Sequence, residues 1–219
     1  MTKLSIKSRL RGQDFINLEE LEAVPVTIIG AGSIGSFTAL GLTKMGISNL
    51  TVVDFDTVDE VNIGCQLYGP DNLGEHKVIA LADILSKLTG VDITLGLVKW
   101  TPEMVSPVLV SAVDSMDVRR EIWEGIKFNS DVNYYIDGRM AGEYLHIFTV
   151  NMADKEARAW YEKSLTPRPV EELSCSAKGI VYNTLIIGGL ITNQVKRVIK
   201  KEVYSREIIL DIPTLGLVK

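Results

Sequence analysis

Short apolar runs alternate with amphipathic segments along most of this chain, and the alternation predicts strands interleaved with helices. The run VTIIG (26–30) reads as a buried strand closed by glycine. In SIGSFTALGLTKMG (33–46), Ile34, Phe37, Leu40 and Leu42 fall near helical spacing, and Gly46 supplies a stop signal. NLTVVDFD (49–56) predicts the next buried strand, and HKVIALADILSKLTG (76–90) a second amphipathic helix ending in glycine. VDITLGLV (91–98) alternates like a third strand, and VLVSAVDS (108–115) reads as a fourth that ends in a carboxylate. DVRREIWEGIKF (117–128) predicts a helix, and VNYYIDGRMAGEYLHIFTVN (132–151) two strands joined around Gly138 to Gly142. Residues 152–174 turn polar, with two prolines and little periodicity, which predicts a mobile loop with one helical turn around KEARAWYEK. GIVYNTLIIGGLITNQVKRVIKK (179–201) predicts a long apolar helix, and no element is assigned beyond it. Residues 1–24 are expected to form an N-terminal helical segment of the same single domain, 1–219.

Strands alternating with helices imply an α/β fold: a Rossmann-like, doubly wound, mostly parallel sheet with right-handed crossovers, extended by an antiparallel pair. The length, 219 residues, fits one large α/β domain, and a hydrophobic fraction of 46% is ordinary for a chain with a real core. The net charge of −5 lacks the clustered basic face that nucleic-acid binding needs. The only basic cluster, KRVIKK, reads as a solvated last helical turn whose cations suit the negative end of the helix dipole. The longest apolar run, GIVYNTLIIGGLI, is broken by Asn183 and a glycine pair and falls short of the ~20 residues of a membrane span. With no apolar segment of signal-peptide length at the N-terminus, a cytoplasmic protein that binds neither nucleic acid nor membrane is expected. The two cysteines, Cys65 and Cys175, make a disulfide framework improbable and a four-cysteine zinc site impossible within one chain.

The chemistry concentrates after the first strand. Gly30 permits a tight turn, Gly32 lets the backbone approach phosphate, and Gly35 lets the helix pack against the sheet. The helix beginning near Ser33 offers free N–H groups and a positive dipole end to an anion. Asp54, at the end of the second strand, stands where an acid bonds ribose hydroxyls. These residues alone do not separate NAD from ATP. Lys77 at the start of the second helix suits charge developing on phosphoryl oxygens, and Asp114 after the fourth strand suits Mg²⁺. Strand C-terminal ends share one rim in a doubly wound sheet, so Gly32, Asp54, Asp56, Lys77 and Asp114 can face one crevice. A nicotinamide site needs neither the lysine nor the second acid.

With GAGSIG, VVDFDTVDEVN, Gln66, GEHKV, AVDS and the late SCSAKGIVYNTLIIGGLITNQVKRVIK in this order, the chain resembles the ThiF/MoeB/HesA family, relatives of the ubiquitin-activating enzymes. That resemblance implies ATP- and Mg²⁺-dependent adenylation of the C-terminal carboxylate of a small ubiquitin-like or sulfur-carrier protein, and a homodimer. It implies Asp54 on the ribose, Asn62 and Lys77 on the phosphates, Gln66 beside them, Asp114 on Mg²⁺ and Cys175 as acceptor of the activated acyl group. A thiol near a helix N-terminus also has a lowered pKa, and the alternative for Cys175 is a buried packing residue.

Three departures from the family pattern stand out. Cys65 occupies the position before the glutamine where the family usually carries arginine, and cysteine cannot make the guanidinium's forked phosphate contact. The two cysteine pairs with which many members bind zinc are missing, so no zinc is expected. No arginine falls where the family offers one to the partner subunit's ATP, unless the register shifts to Arg9 or Arg11. Two other readings therefore stand beside adenylation. One is a catalytically impaired ThiF-like nucleotide-binding scaffold. The other is an NAD(P)-linked oxidoreductase, which needs only the glycine turn and Asp54. The apolar helix from about 179 to 198, with more than one apolar face, independently predicts burial against a second copy.

Overall fold

The structure, a computed structural model, describes residues 18–166 and 179–218. Its described strands form one eight-stranded sheet in the order β3-β2-β1-β4-β5-β6-β7-β8. The strands are β1 Val26–Ile29, β2 Leu50–Val53, β3 Thr94–Gly96, β4 Val108–Ser111, β5 Tyr134–Ala141, β6 Tyr144–Asn151, β7 Glu207–Asp211 and β8 Gly216–Val218. The helices are α1 Leu18–Ala23, α2 Ser33–Met45, α3 Glu60–Ile63, α4 Lys77–Thr89, α5 Met116–Ile126, α6 Lys155–Lys163 and α7 Val181–Ile199. β1 through β5 pair in parallel and β5 through β8 in antiparallel, as a Rossmann-like sheet with an antiparallel extension.

β1 and β4 are buried at every position because helices cover both sheet faces, which is why they are mostly apolar and even Thr27 and Ser111 are buried. On one face Val26, Ile28, Val52 and Val110 pack with Leu42 of α2, Leu81 and Leu85 of α4, and Ile187 and Ile191 of α7. On the other, Leu109, Tyr135 and Phe148 pack with Ile122 and Trp123 of α5 and Tyr161 of α6.

β5 runs on through Gly138 to Ala141 where a joining loop was expected, α3 forms where no element was assigned, and three further elements differ from the sequence expectation. The third strand shrinks to Thr94–Gly96 because it pairs only with β2, and Leu95 and Leu97 stay exposed. Residues 155–163, expected as one turn within a loop, form the nine-residue helix α6. Asp154 caps it by accepting from Glu156 N–H (2.8 Å) and Ala157 N–H (3.1 Å), and Tyr161 anchors it against Trp123, ring centroids 4.7 Å apart. α6 is short and mostly polar, with only Ala157 and Tyr161 buried, so it reads as part of the polar run around it. The third difference is the hairpin β7–β8, which adds to β6 where no element was expected. No described helix is long and apolar enough to cross a membrane.

Candidate functional site

The sheet order reverses between β1 and β4, and a crevice at the carboxyl ends of strands opens at such a switch point. Gly30 leaves β1 with φ +96°, a backbone that L side chains rarely adopt, and a Cβ there would lie 2.8 Å from the Ala112 carbonyl oxygen. At Gly35 a Cβ would lie 1.8 Å from the Gly30 carbonyl oxygen, so the turn and α2 fit together only with glycine at both positions. Gly32 is the N-cap of α2 and supplies no side-chain cap, which leaves the N–H groups around Ser33 for an incoming anion.

Asp54 holds this turn in place. Its carboxylate accepts from Ala31 N–H at 2.6 Å and from Asp56 N–H at 2.8 Å. Beneath it the Tyr68 hydroxyl donates to the Ala31 carbonyl at 2.6 Å, and burial with the nearby Asp54 charge raises the phenol well above its ordinary pKa. Tyr68 went unnoticed in the sequence; its place two residues after Gln66 is the signal that could have marked it.

Lys77 opens α4 and is only 8% exposed. Its Nζ donates to Asp56 Oδ2 at 3.0 Å, where the Asp56 side chain is half exposed, so the cation is held at the rim by an acid that water can take over. Asn62 lies in the short helix α3, where its Oδ1 accepts from Asp59 N–H at 2.9 Å in a capping box with Asp59. Gln66 points its amide toward the turn, its Nε2 4.0 Å from where a Gly32 Cβ would stand, and its buried Oε1 has no partner among the described residues.

Cys65 is buried beneath Ser33, whose hydroxyl donates to Sγ at 3.4 Å. A Cβ on Gly179 would lie 2.7 Å from that sulfur, so the side chain has no room to lengthen in that direction. Cys175, Arg9 and Arg11 lie outside the described residues.

Asp114 stands three residues beyond β4, exposed and without a hydrogen-bond partner among the described residues. The backbone before it is pinned twice: Ala112 N–H donates to the Ile29 carbonyl at 2.8 Å, and Arg119 donates to the Val113 carbonyl. Arg119, four per cent exposed on α5, also donates to Asp137 Oδ1 (2.8 Å) and to the Gly138 carbonyl (3.0 Å) on β5. Asp137 is wholly buried and takes a second guanidinium, Arg139 (2.6 Å), and the Tyr161 hydroxyl (3.0 Å) on its other oxygen. Burial works to raise the Asp137 carboxyl, but Arg119 and then Arg139 hold it below its ordinary value. Arg139, which in sequence could have met a carboxylate substrate, is occupied by Asp137 and by the Ser164 carbonyl and hydroxyl.

The arrangement thus brings Gly32, Ser33, Asp54, Asp56, Lys77 and Asp114 to the carboxyl ends of β1, β2 and β4, with Asn62 and Gln66 on the segment between β2 and α4. The chemistry of these residues fits ATP: an uncapped helix end for phosphate, the Gln66 Nε2 amide donor facing the glycine turn, and a lysine on the rim. It also fits Mg²⁺ of the kind held by one or two carboxylates plus phosphates, with Asp114 as an exposed carboxylate. No group of three or more metal-ligating side chains occurs among the described residues.

The fold is that of a Rossmann-like α/β domain. Within that class the chain belongs to the ThiF family, whose model matches residues 6–214. It is 38% identical over 80 residues to the molybdopterin-synthase adenylyltransferase of Escherichia coli K12, covering 36% of this chain and 32% of that protein. To the ubiquitin-like modifier-activating enzyme 5 of Dictyostelium discoideum it is 36% identical over 72 residues, covering 33% of this chain and 19% of that one. The chain therefore matches a third or less of the length of these relatives. Among solved structures, E. coli MccB with ATP superposes with a TM-score of 0.73 at 16% identity, covering 97% of this chain and 68% of that one. PaaA gives a TM-score of 0.73 at 20% identity, covering 92% and 64%.

Proposed function

We propose that this protein uses ATP and Mg²⁺ to adenylate the C-terminal carboxylate of a small ubiquitin-like or sulfur-carrier protein. The observation that carries the proposal is the meeting, on one rim, of an uncapped helix N-terminus, Lys77 and the exposed carboxylate of Asp114. In the reaction a carboxylate oxygen attacks the α-phosphorus of ATP, and the bond to the bridging oxygen breaks as pyrophosphate leaves. Mg²⁺ supplies charge neutralisation on the phosphates. No protein nucleophile is needed; the protein positions and stabilises.

In this reading Asp54 holds the ribose and the glycine turn together, and Ser33 with the first N–H groups of α2 receives phosphate. Lys77 leaves Asp56, which is half exposed and readily rehydrated, to meet the developing negative charge; Asn62 and Gln66 complete the phosphate side. Asp114 binds the metal. A later step, attack of the Cys175 thiolate on the activated acyl carbon with AMP leaving, is the proposed fate of the adenylate. A homodimer is proposed from α7, where Val181, Tyr182 and Leu185 are exposed on a helix whose other face is buried. The enzyme is proposed to act in the cytoplasm.

The buried Cys65, standing where relatives usually carry arginine, favours a second reading, a scaffold that binds nucleotide without turning it over. ATP–pyrophosphate exchange with candidate carrier proteins separates the two: carrier-dependent exchange supports adenylation, and Mg-ATP binding with no exchange for any carrier supports the scaffold.

A further inference from the structure

We infer that Arg119 and the wholly buried Asp137 are positioning residues that hold the Asp114 carboxylate ready for Mg²⁺. This rests on the adenylation reading and deepens it. Asp114 sits on a turn of four residues between β4 and α5. A free carboxylate on such a turn loses conformational entropy when it binds a metal, unless the backbone under it is already fixed. Here it is fixed. The Ala112 N–H is tied to β1, and the Val113 carbonyl, adjacent to Asp114, is tied to Arg119. Ser115 closes the far side by accepting from Val118 N–H at 3.4 Å.

The Arg119 side chain folds back from the first turns of α5 and spans three acceptors: the Val113 carbonyl, Asp137 Oδ1 and the Gly138 carbonyl. Only a planar fork can reach all three at once. A guanidinium this deeply buried needs a carboxylate partner, because an unpaired buried charge is costly. Asp137 is that partner, and its fixed place on β5 sets where the fork points. Arg139 shares Asp137 but runs the other way, to Ser164 and Tyr161, and does not touch the Asp114 turn. The two arginines thus divide one carboxylate between the metal turn and the α6 side. Groups behind a metal's direct ligands commonly change its affinity by about 10–100-fold when altered.

The test is Mn²⁺ binding, read by electron paramagnetic resonance in the presence of a non-hydrolysable ATP analogue. It is run on the wild type and on Arg119→Lys, Asp137→Asn and Arg139→Lys, alongside analogue binding without metal and thermal melting. In Arg119→Lys an ammonium keeps the charge against Asp137 but loses the fork. The expected result is Mn²⁺ affinity about tenfold weaker or more in Arg119→Lys and Asp137→Asn, with metal-free analogue affinity near wild type. Arg139→Lys is expected to lower the melting temperature and leave Mn²⁺ affinity unchanged. Unchanged Mn²⁺ affinity in either of the first two variants, when folded, overturns the inference. Equal weakening in all three also overturns it, because the cluster would then act only through overall stability. A wild-type protein that binds the analogue but no Mn²⁺ would instead remove the metal-dependent reading on which the inference rests.

Discussion

Replacing Lys77 by methionine removes one charge while keeping most of the side chain's buried volume. In the folded protein that charge faces Asp56 Oδ2 at 3.0 Å. The gross Coulomb energy at that distance is about 5–6 kcal/mol for an effective dielectric near 20. Most of it is offset, because the Asp56 side chain is half exposed and is hydrated when the lysine leaves. The net loss of stability is expected to be about 1 kcal/mol, which lowers the melting temperature of a protein this size by about 2–4 °C. The loss in the reaction is larger. A preorganised donor aimed at charge that develops only in the transition state contributes about 3–4 kcal/mol, or ~10²–10³ in rate. The two effects are therefore separable: a small shift in melting and a collapse of ATP–pyrophosphate exchange. Lys77→Met exchange within about threefold of wild type, against the ~10²–10³ loss expected from a lost transition-state donor, would remove the lysine from the mechanism. A melting loss far above a few degrees would mean that the Asp56 pair is structural.

Further outcomes follow from the same geometry. Gly35→Ala places a Cβ 1.8 Å from the Gly30 carbonyl oxygen, and the neighbour is backbone that cannot yield cheaply. Urea unfolding should show a loss of about 3 kcal/mol or more, and a wild-type midpoint would contradict the packing described. The buried pairing of Asp137 gives a pH dependence with a definite sign. Its folded value is held below the ordinary 3.8, so its stabilisation is complete above the unfolded value and is lost as pH falls through the folded one. Asp137→Asn should flatten that part of the acid slope in urea titrations run from about pH 5 down to pH 2.5; parallel slopes would count against it. Cys175→Ser should keep exchange near wild type and lose any covalent adduct with the carrier in mass spectra, and an unchanged thiol-sensitive adduct would rule Cys175 out as the acceptor.

The candidate rim was legible in the sequence because each of its parts has a local signature. Glycines at a strand–helix turn, an acid closing a strand and a lysine opening a helix are fixed by neighbours in the chain. The sheet was legible for the same reason in β1, β2 and β4, short mostly apolar runs that are largely buried. What escaped was non-local. Asp137 and Arg119 come together only when β5 docks beside β4, and nothing in IDGRMAGE or DVRREIWEG announces the pairing. Tyr68 gains its role from a carbonyl 37 residues away. The helix α6 is short and mostly polar, and the fit of Tyr161 against Trp123 that holds it is made across the fold. The hairpin β7–β8 forms because β6 offers an open edge, which the composition of residues 207–218 does not disclose.

The most direct test of the central claim is exchange of labelled pyrophosphate into ATP with Mg²⁺, the full-length protein and a small carrier protein with a free C-terminal carboxylate. Adenylation predicts exchange that requires the carrier and vanishes when its C-terminus is amidated or when Asp114 is replaced by alanine. Tight binding of a nicotinamide dinucleotide, with no ATP bound and no exchange for any carrier, would contradict it.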